Sequence, residues 1–116
     1  MRNWPLILMG SEIKHMKQAA WESLLGLATR ARKTVSGEEL VLKEIKGRRA
    51  KLVLLTKDAS ANTAKRIQDK CLFYKVPCRL IESRELLGRA IGKEARVVVA
   101  LTEDGFAKKL ASLLDE

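Results

Sequence analysis

Residues 51–56 read KLVLLT. An apolar run this continuous marks a strand covered on both faces, which requires helices above and below the sheet. RVVVALT at 96–102 has the same character, and CRLIE at 78–82 forms a third strand. Helical periodicity fills the intervals. SANTAKRIQDKCLFYK at 60–75 places Ala64, Ile67, Cys71 and Tyr74 on one side of a helix that Pro77 prevents from continuing. Ser83 caps a short helix to about Ala90, with Glu85 and Leu86 in its first turns. Asp104 and Gly105 open a last helix whose stripe is Phe106, Leu110, Leu113 and Leu114. Upstream, TVSG at 34–37 is a short extended piece followed by a cap, and a helix runs from about Gly37 to Lys46, ending at Gly47. Trp21, Leu24, Leu25, Ala28 and Ala31 recur at helical spacing from about Lys17. Strands alternating with helices predict an α/β protein, a three-layer α/β/α sandwich around a small mixed sheet with three clear strands.

A chain of 116 residues is most simply one domain, and it can bury a core without disulfides or metal. The regular pattern begins near Lys17. Residues 1–16 carry Trp4, Pro5, a short apolar patch and His15 without clear periodicity, so an irregular N-terminal tail is expected before a domain at 17–116. A mobile tail, an added strap and an upstream start with Met16 as the natural first residue all remain open. No apolar run approaches the roughly 20 residues that span a bilayer, and WPLILMG is too short for a signal-peptide core. These features predict a cytoplasmic protein without a membrane partner. Cys71 and Cys78 are spaced C-x6-C, which suits two buried thiols rather than a disulfide framework.

Net charge is +9, with 23 Lys or Arg against 14 Asp or Glu. That balance attracts a polyanion: RNA, DNA or an anionic membrane. Two Phe, one Tyr and two Trp are too few for stacking platforms on single strands. Recognition by contour, backbone and base edges remains. The charge is concentrated in Arg30–Lys51, RARKTVSGEELVLKEIKGRRAK, where eight basic residues stand against three Glu. The same run contains the helix start at Ser36–Gly37, and amides at such a start attract anions.

Catalytic constellations are not legible. A lone His15 in the irregular segment is a poor general base. There is no G-x-S-x-G elbow, and no His, Cys and acid cluster has zinc spacing. GRAIGKE at 88–94 has three residues between its glycines where a P-loop needs four, and Glu94 stands where the magnesium-binding hydroxyl belongs. GLATRARKTVSG is not a G-x-G-x-x-G fingerprint. No enzyme, cofactor, metal or small-molecule substrate is expected.

On the helix after Gly37 the core side falls on Val41, Leu42 and Ile45. At about 100° per residue, Leu40 and Lys43 lie roughly 150° from that direction, with Gly47 between them. The outward face therefore carries an apolar residue, a cation and a small residue; the structural alternative is a solvated face with Leu40 tucked under a neighbour. Glu38 and Glu39 suit the helix dipole, yet they oppose simple phosphate binding. If RNA docks here, they accept hydrogen bonds from base donors such as guanine N–H groups. Lys43, Lys46, Arg48, Arg49, Arg30, Arg32 and Lys33 then meet phosphates. A second candidate surface is the loop IGKEAR at 91–96. Gly92 permits close backbone approach, Ile91 and Ala95 offer apolar contacts, Lys93 and Arg96 offer charge, and Glu94 lies among them. An ordinary helix–strand turn explains the loop equally well, and adjacency of the two surfaces does not follow from the sequence.

SGEELVLKEIKGRRAKLVLLTKDAS, followed by KVPCRLIESRELLGRAIGKEARVVVALT, resembles the kink-turn-binding ribosomal protein family of the L-seven-Ae and L-thirty-e type, and in particular its small bacterial YlxQ-type branch. The similarity covers about residues 19–115. The AKLV strand with its acidic-polar loop and the LG-x-A-x-G segment at 87–92 carry it together. The resemblance implies an α/β/α sandwich that docks on a sharply bent RNA internal loop with tandem sheared G·A pairs. It implies that Gly37 is the close-approach residue, that Glu38 and Glu39 flank the bases, that Lys43 meets RNA, and that the loop 91–95 covers bulged nucleotides. One departure stands out. Where family members have Asn or Lys followed by Glu or Gln, this chain has Glu39–Leu40, and Leu40 cannot hydrogen-bond a guanine edge. A lost bidentate contact costs about 1–3 kcal/mol of discrimination.

The expected function is noncatalytic recognition of kink-turn-like structured RNA, linked to the ribosome or its rRNA. The rival is a protein–protein adaptor or structural ribosomal component in which Leu40 and Ile91 form an apolar contact.

Overall fold

The computed structural model describes residues 6–115, with side chains from residue 15 onward. Among the described residues five helices and four strands alternate: α1 (Leu6–Arg30), β1 (Thr34–Ser36), α2 (Glu38–Lys46), β2 (Leu52–Thr56), α3 (Ala61–Tyr74), β3 (Cys78–Ile81), α4 (Arg84–Ala90), β4 (Val98–Leu101) and α5 (Asp104–Asp115). The strand order is β1-β4-β2-β3. β2 pairs parallel with β3 and antiparallel with β4, which pairs antiparallel with β1, so the sheet is mixed as expected.

Side-chain alternation in the central strands builds both halves of the core. Leu52, Leu54, Val99 and Leu101 pack with Trp21 and Leu25 of α1, Leu87 of α4 and Leu110 of α5. Val53, Leu55, Val98 and Ala100 point the other way, onto Val41, Leu42 and Ile45 of α2 and Ile67 and Cys71 of α3. Every residue of β2 is buried, as KLVLLT requires of a strand between two helical layers. Three layers result: α1, α4 and α5; the sheet; α2 and α3.

Three expectations need correction. The irregular segment expected through residue 16 is helix from Leu6 onward, continuous with the helix expected from Lys17; Met1–Pro5 lie outside the described residues. The few polar residues among 6–16 weakened the amphipathic signal without opposing helix formation. The sheet has a fourth strand, β1. At three residues it is too short for alternation to register, and pairing with β4 is what makes it a strand. Ala31, expected on the buried stripe of α1, lies beyond the helix end and is exposed.

Ser60 and Ser83 cap α3 and α4, accepting from the backbone amides of Thr63 and Leu86. Cys71 is buried and Cys78 is half-buried. The neighbouring Cys78 sulfur, together with burial, pushes the Cys71 thiol well above its ordinary range. Among the described residues, no helix is long and apolar enough to cross a membrane, and no cluster of His, Cys, Asp or Glu is grouped to hold a metal.

Candidate nucleic-acid interface

Gly37 sets the geometry of the first surface. It is the N-cap of α2 at φ 99°, ψ 146°, a region that only glycine adopts without strain. No side chain caps the helix, and a Cβ at Gly37 would meet nothing within 4 Å. The ground before the first-turn amides is therefore open. Leu40 is 57% exposed, so it is not tucked under a neighbour. Lys43 and Gly47 are exposed beside it, while Val41, Leu42 and Ile45 are buried, as the helical spacing predicts.

The Gly37 amide donates to the Val98 carbonyl at 3.1 Å. Val98 is where the 91–97 loop enters β4, so β1–β4 pairing brings the helix start and the end of that loop together. The Arg96 amide donates to the Arg84 carbonyl at 3.0 Å, which folds the loop back along α4. Arg84 is held in turn by Asp58: its amide reaches the carboxylate at 3.2 Å and its guanidinium the carbonyl at 2.6 Å. Gly88 makes this return possible, since a Cβ there would stand 1.7 Å from the Glu94 carbonyl oxygen. Gly92 (φ 71°), Lys93, Glu94 and Ala95 are exposed on this loop. Ile91 is not available as a surface contact. It is 6% exposed and packs in the α1–α4–α5 half of the core. The last turn of α4 directs it inward, which the loop-like residues after it did not reveal.

Arg66 is a participant that sequence reasoning missed. Its guanidinium lies 3.3 Å from a carboxylate oxygen of each of Glu38 and Glu39. The Glu39 contact has hydrogen-bond geometry; the Glu38 oxygen is buried and close to the cation without a hydrogen bond aimed at it. The two acids that opposed phosphate binding are thus shared by one cation from α3. Nothing in the spacing of α3 marks Arg66, because its role depends on α3 packing beside α2.

The remaining basic residues do not gather at Gly37. α2 rises about 13 Å over its nine residues, so Lys46 and Arg48 stand at its far end. Lys33 is also there: its carbonyl accepts from the Thr102 amide at 2.9 Å, beyond the end of β4. Arg48 stacks over the Tyr74 ring at 5.3 Å, and Arg49 pairs with Glu44 at 2.5 Å. Arg30 turns back along α1, its guanidinium beside Gly26. The candidate residues fall into two sets. Gly37, Glu38, Glu39 and Leu40 share one end with the 92–95 loop, with Lys43 midway along α2; Lys33, Lys46 and Arg48 occupy the opposite end, and Arg30 the α1 surface.

A mixed-sheet α/β/α sandwich with an uncapped glycine at a helix start beside an exposed loop defines a class of small scaffold with one open, charged end. The residues from 19 to 111 match the model of the ribosomal protein L7Ae/L30e/S12e/Gadd45 family, and the chain belongs to that family. It is 68% identical over 100 residues to the RNA-binding protein YlxQ of Bacillus subtilis (strain 168), covering 86% of this chain and all of that protein. The RNA-binding protein YlxQ of Enterococcus faecium is 42% identical over 93 residues, covering 80% of this chain and 89% of that protein. Among solved structures, a protein of unknown function from Bacillus halodurans superposes with a TM-score of 0.81 at 48% identity, over 83% of this chain and 97% of that one. A Giardia lamblia 15.5kD RNA-binding protein superposes with a TM-score of 0.73 at 20% identity, over 84% and 85% of the two chains, a likeness of fold.

Proposed function

We propose that this chain is a noncatalytic RNA-binding protein of the cytoplasm that grips structured RNA of the kink-turn type, in or near the ribosome. The carrying observation is the Gly37–Val98 bond, which puts the open helix start and the loop leading into β4 side by side on a chain of net charge +9. The names of the B. subtilis and E. faecium relatives support RNA as the partner. In this reading the first-turn amides of α2 and Lys43 face the backbone, Glu39 accepts from a base donor, and Gly92–Ala95 cover nucleotides extruded at the bend. Binding then favours the bent conformer, because only the bend presents groove and bulge together.

The adaptor reading loses ground. It needs Leu40 and Ile91 in one exposed patch, and Ile91 is in the core. Titration of a fluorescent kinked RNA against an unkinked duplex of equal length, at low salt, tests the proposal. Tighter binding of the kinked RNA is expected, and equal affinity for the two from a folded protein refutes it.

A further inference from the structure

The cations that the fold carries away from Gly37 are not scattered. They line the opposite edge of the sheet, where β1, β2 and β3 begin and β4 ends. The Thr102 amide donates to the Lys33 carbonyl, the Lys51 amide to Leu101 at 2.7 Å, and the Val53 amide to Pro77 at 2.9 Å. Arg32 and Lys33, then Arg48 to Lys51, then Lys75 therefore follow one another across the sheet. Neighbouring strands lie about 4.8 Å apart, so the row spans roughly 14 Å.

Backbone conformation singles out the same edge. Among the described residues, the non-glycine positions at positive φ are Arg32 (60°), Arg48 (59°) and Lys75 (57°). Each closes the segment after a helix: α1, α2 and α3 in turn. Glycine or asparagine is the usual occupant of that conformation. Here all three positions hold a cation, kept despite the strain. The helix dipole favours a cation at each end by about 0.3–1 kcal/mol, which offsets part of that strain.

Six cations, Arg32, Lys33, Arg48, Arg49, Lys51 and Lys75, stand here against three acids. Glu44 pairs with Arg49, and the Glu103 carboxylate accepts from the Gly105 amide at the start of α5; Asp104 remains in the first turn of α5. Among the described residues, Arg32, Lys33, Lys51 and Lys75 form no ion pair. The edge segments 31–33, 47–51, 75–77 and 102–104 contain no Asn or Gln to read adenine, and of the arginines, which pair with guanine, Arg48 lies over Tyr74 and Arg49 is held by Glu44. The adjoining Tyr74 ring is covered by Arg48 and offers no free stacking platform. Phe73 is an exposed ring beside Tyr74, but a single ring does not stack successive bases, so exposed Arg32, Lys33 and Lys75 with half-buried Lys51 suit the phosphates of a duplex better than a single strand.

We propose that this edge, Arg32–Lys33, Lys51 and Lys75, is a second RNA-contacting face that takes backbone phosphates of a duplex flanking the bend. The inference rests on the proposed function. The two faces stand at opposite ends of β2, whose five residues span about 16 Å, less than one turn of a duplex. One RNA therefore reaches both, with the bend at Gly37 and its helical flank along the basic row.

The test uses the full chain and the triple variant Lys33→Gln, Lys51→Gln, Lys75→Gln, with unchanged circular dichroism confirming the fold. Dissociation constants are measured across a salt series for a kinked RNA with long flanks, the same kink trimmed to its core, and the flank duplex alone. On the long-flank RNA the variant's log–log salt slope is expected to fall by about 2–3, roughly one per lost phosphate contact, with no change on the trimmed RNA. An unchanged slope on the long-flank RNA overturns the proposal, as does an equal drop on the trimmed RNA. Wild type that ignores the kink yet binds the flank duplex with a variant-sensitive slope refutes the kink-turn reading and leaves this face standing. Loss of binding to phosphatidylserine vesicles in the variant, with RNA slopes intact, assigns the edge to membranes and refutes it.

Discussion

The Gly37 amide and the Val98 carbonyl are joined by a 3.1 Å hydrogen bond that continues the β1–β4 ladder one residue beyond Ser36. Through that bond, the start of α2 and the loop that enters β4 share one end of the molecule. Segments 61 positions apart in the chain are thereby held side by side.

Gly37→Ala separates backbone strain from crowding. A Cβ meets nothing at this position, so the cost comes from φ 99° alone. Destabilisation of about 1–3 kcal/mol is expected in urea unfolding. A variant as stable as wild type means that the α2 start adopts another conformation. Affinity for kinked RNA should fall with the displaced amides.

Gly88→Ala acts through crowding. The new methyl carbon would lie 1.7 Å from the Glu94 carbonyl oxygen and 3.0 Å from the Ala95 Cα. Backbone cannot yield that much locally, so a loss of roughly 3 kcal/mol or more is expected. Calorimetry of Gly88→Ala beside Gly92→Ala checks this, because the Cβ at Gly92 has open space and only its φ of 71° to contend with. Gly88→Ala should be the more damaging of the pair.

Arg66→Ala should leave stability nearly unchanged. Exposed ion pairs contribute about 0–1 kcal/mol. RNA affinity is the sensitive quantity, since Glu38 and Glu39 lose their shared cation and then repel phosphate. A several-fold rise in Kd is expected, largely reversed when Glu38→Gln is added. Identical Kd values for wild type and Arg66→Ala would show that the acids lie away from bound RNA.

Arg79 clamps Asp115 with contacts of 2.6 and 3.0 Å, fastening the end of α5 to the edge strand β3. The Arg79 hydrogen bonds hold the Asp115 carboxyl below its ordinary value. A depressed folded-state pKa gives stabilisation that is fully present above the unfolded value, near 3.9, and is lost as pH falls through the folded value. Asp115→Asn should therefore lower Tm at pH 6, with the gap from wild type closing in strongly acidic solution. A gap independent of pH rules out this linkage.

The helix wheel of α2 was legible from Gly37 to Gly47, down to the outward direction of Leu40 and Lys43, because side-chain direction along a helix is local geometry; that no neighbour covers Leu40 was decided by the tertiary structure. The buried character of KLVLLT was legible for the same reason. β1 was not, since three residues are shorter than any reliable alternation. Ile91 misled because its neighbours Gly92 to Ala95 look like loop, whereas its own direction is set by the last turn of α4.

Periodicity, capping residues and apolar runs are properties of neighbours in the chain, and they determined the order of the helices and of the three longer strands and the layered architecture. Strand order and direction decided which loops meet. Pairing β1 with β4 brought Gly37 to Val98, the packing of α3 beside α2 delivered Arg66 to Glu38 and Glu39, and the rise of α2 divided one basic run between two ends of the sheet. Those outcomes depend on contacts between distant segments, whose geometry no local stretch of sequence encodes.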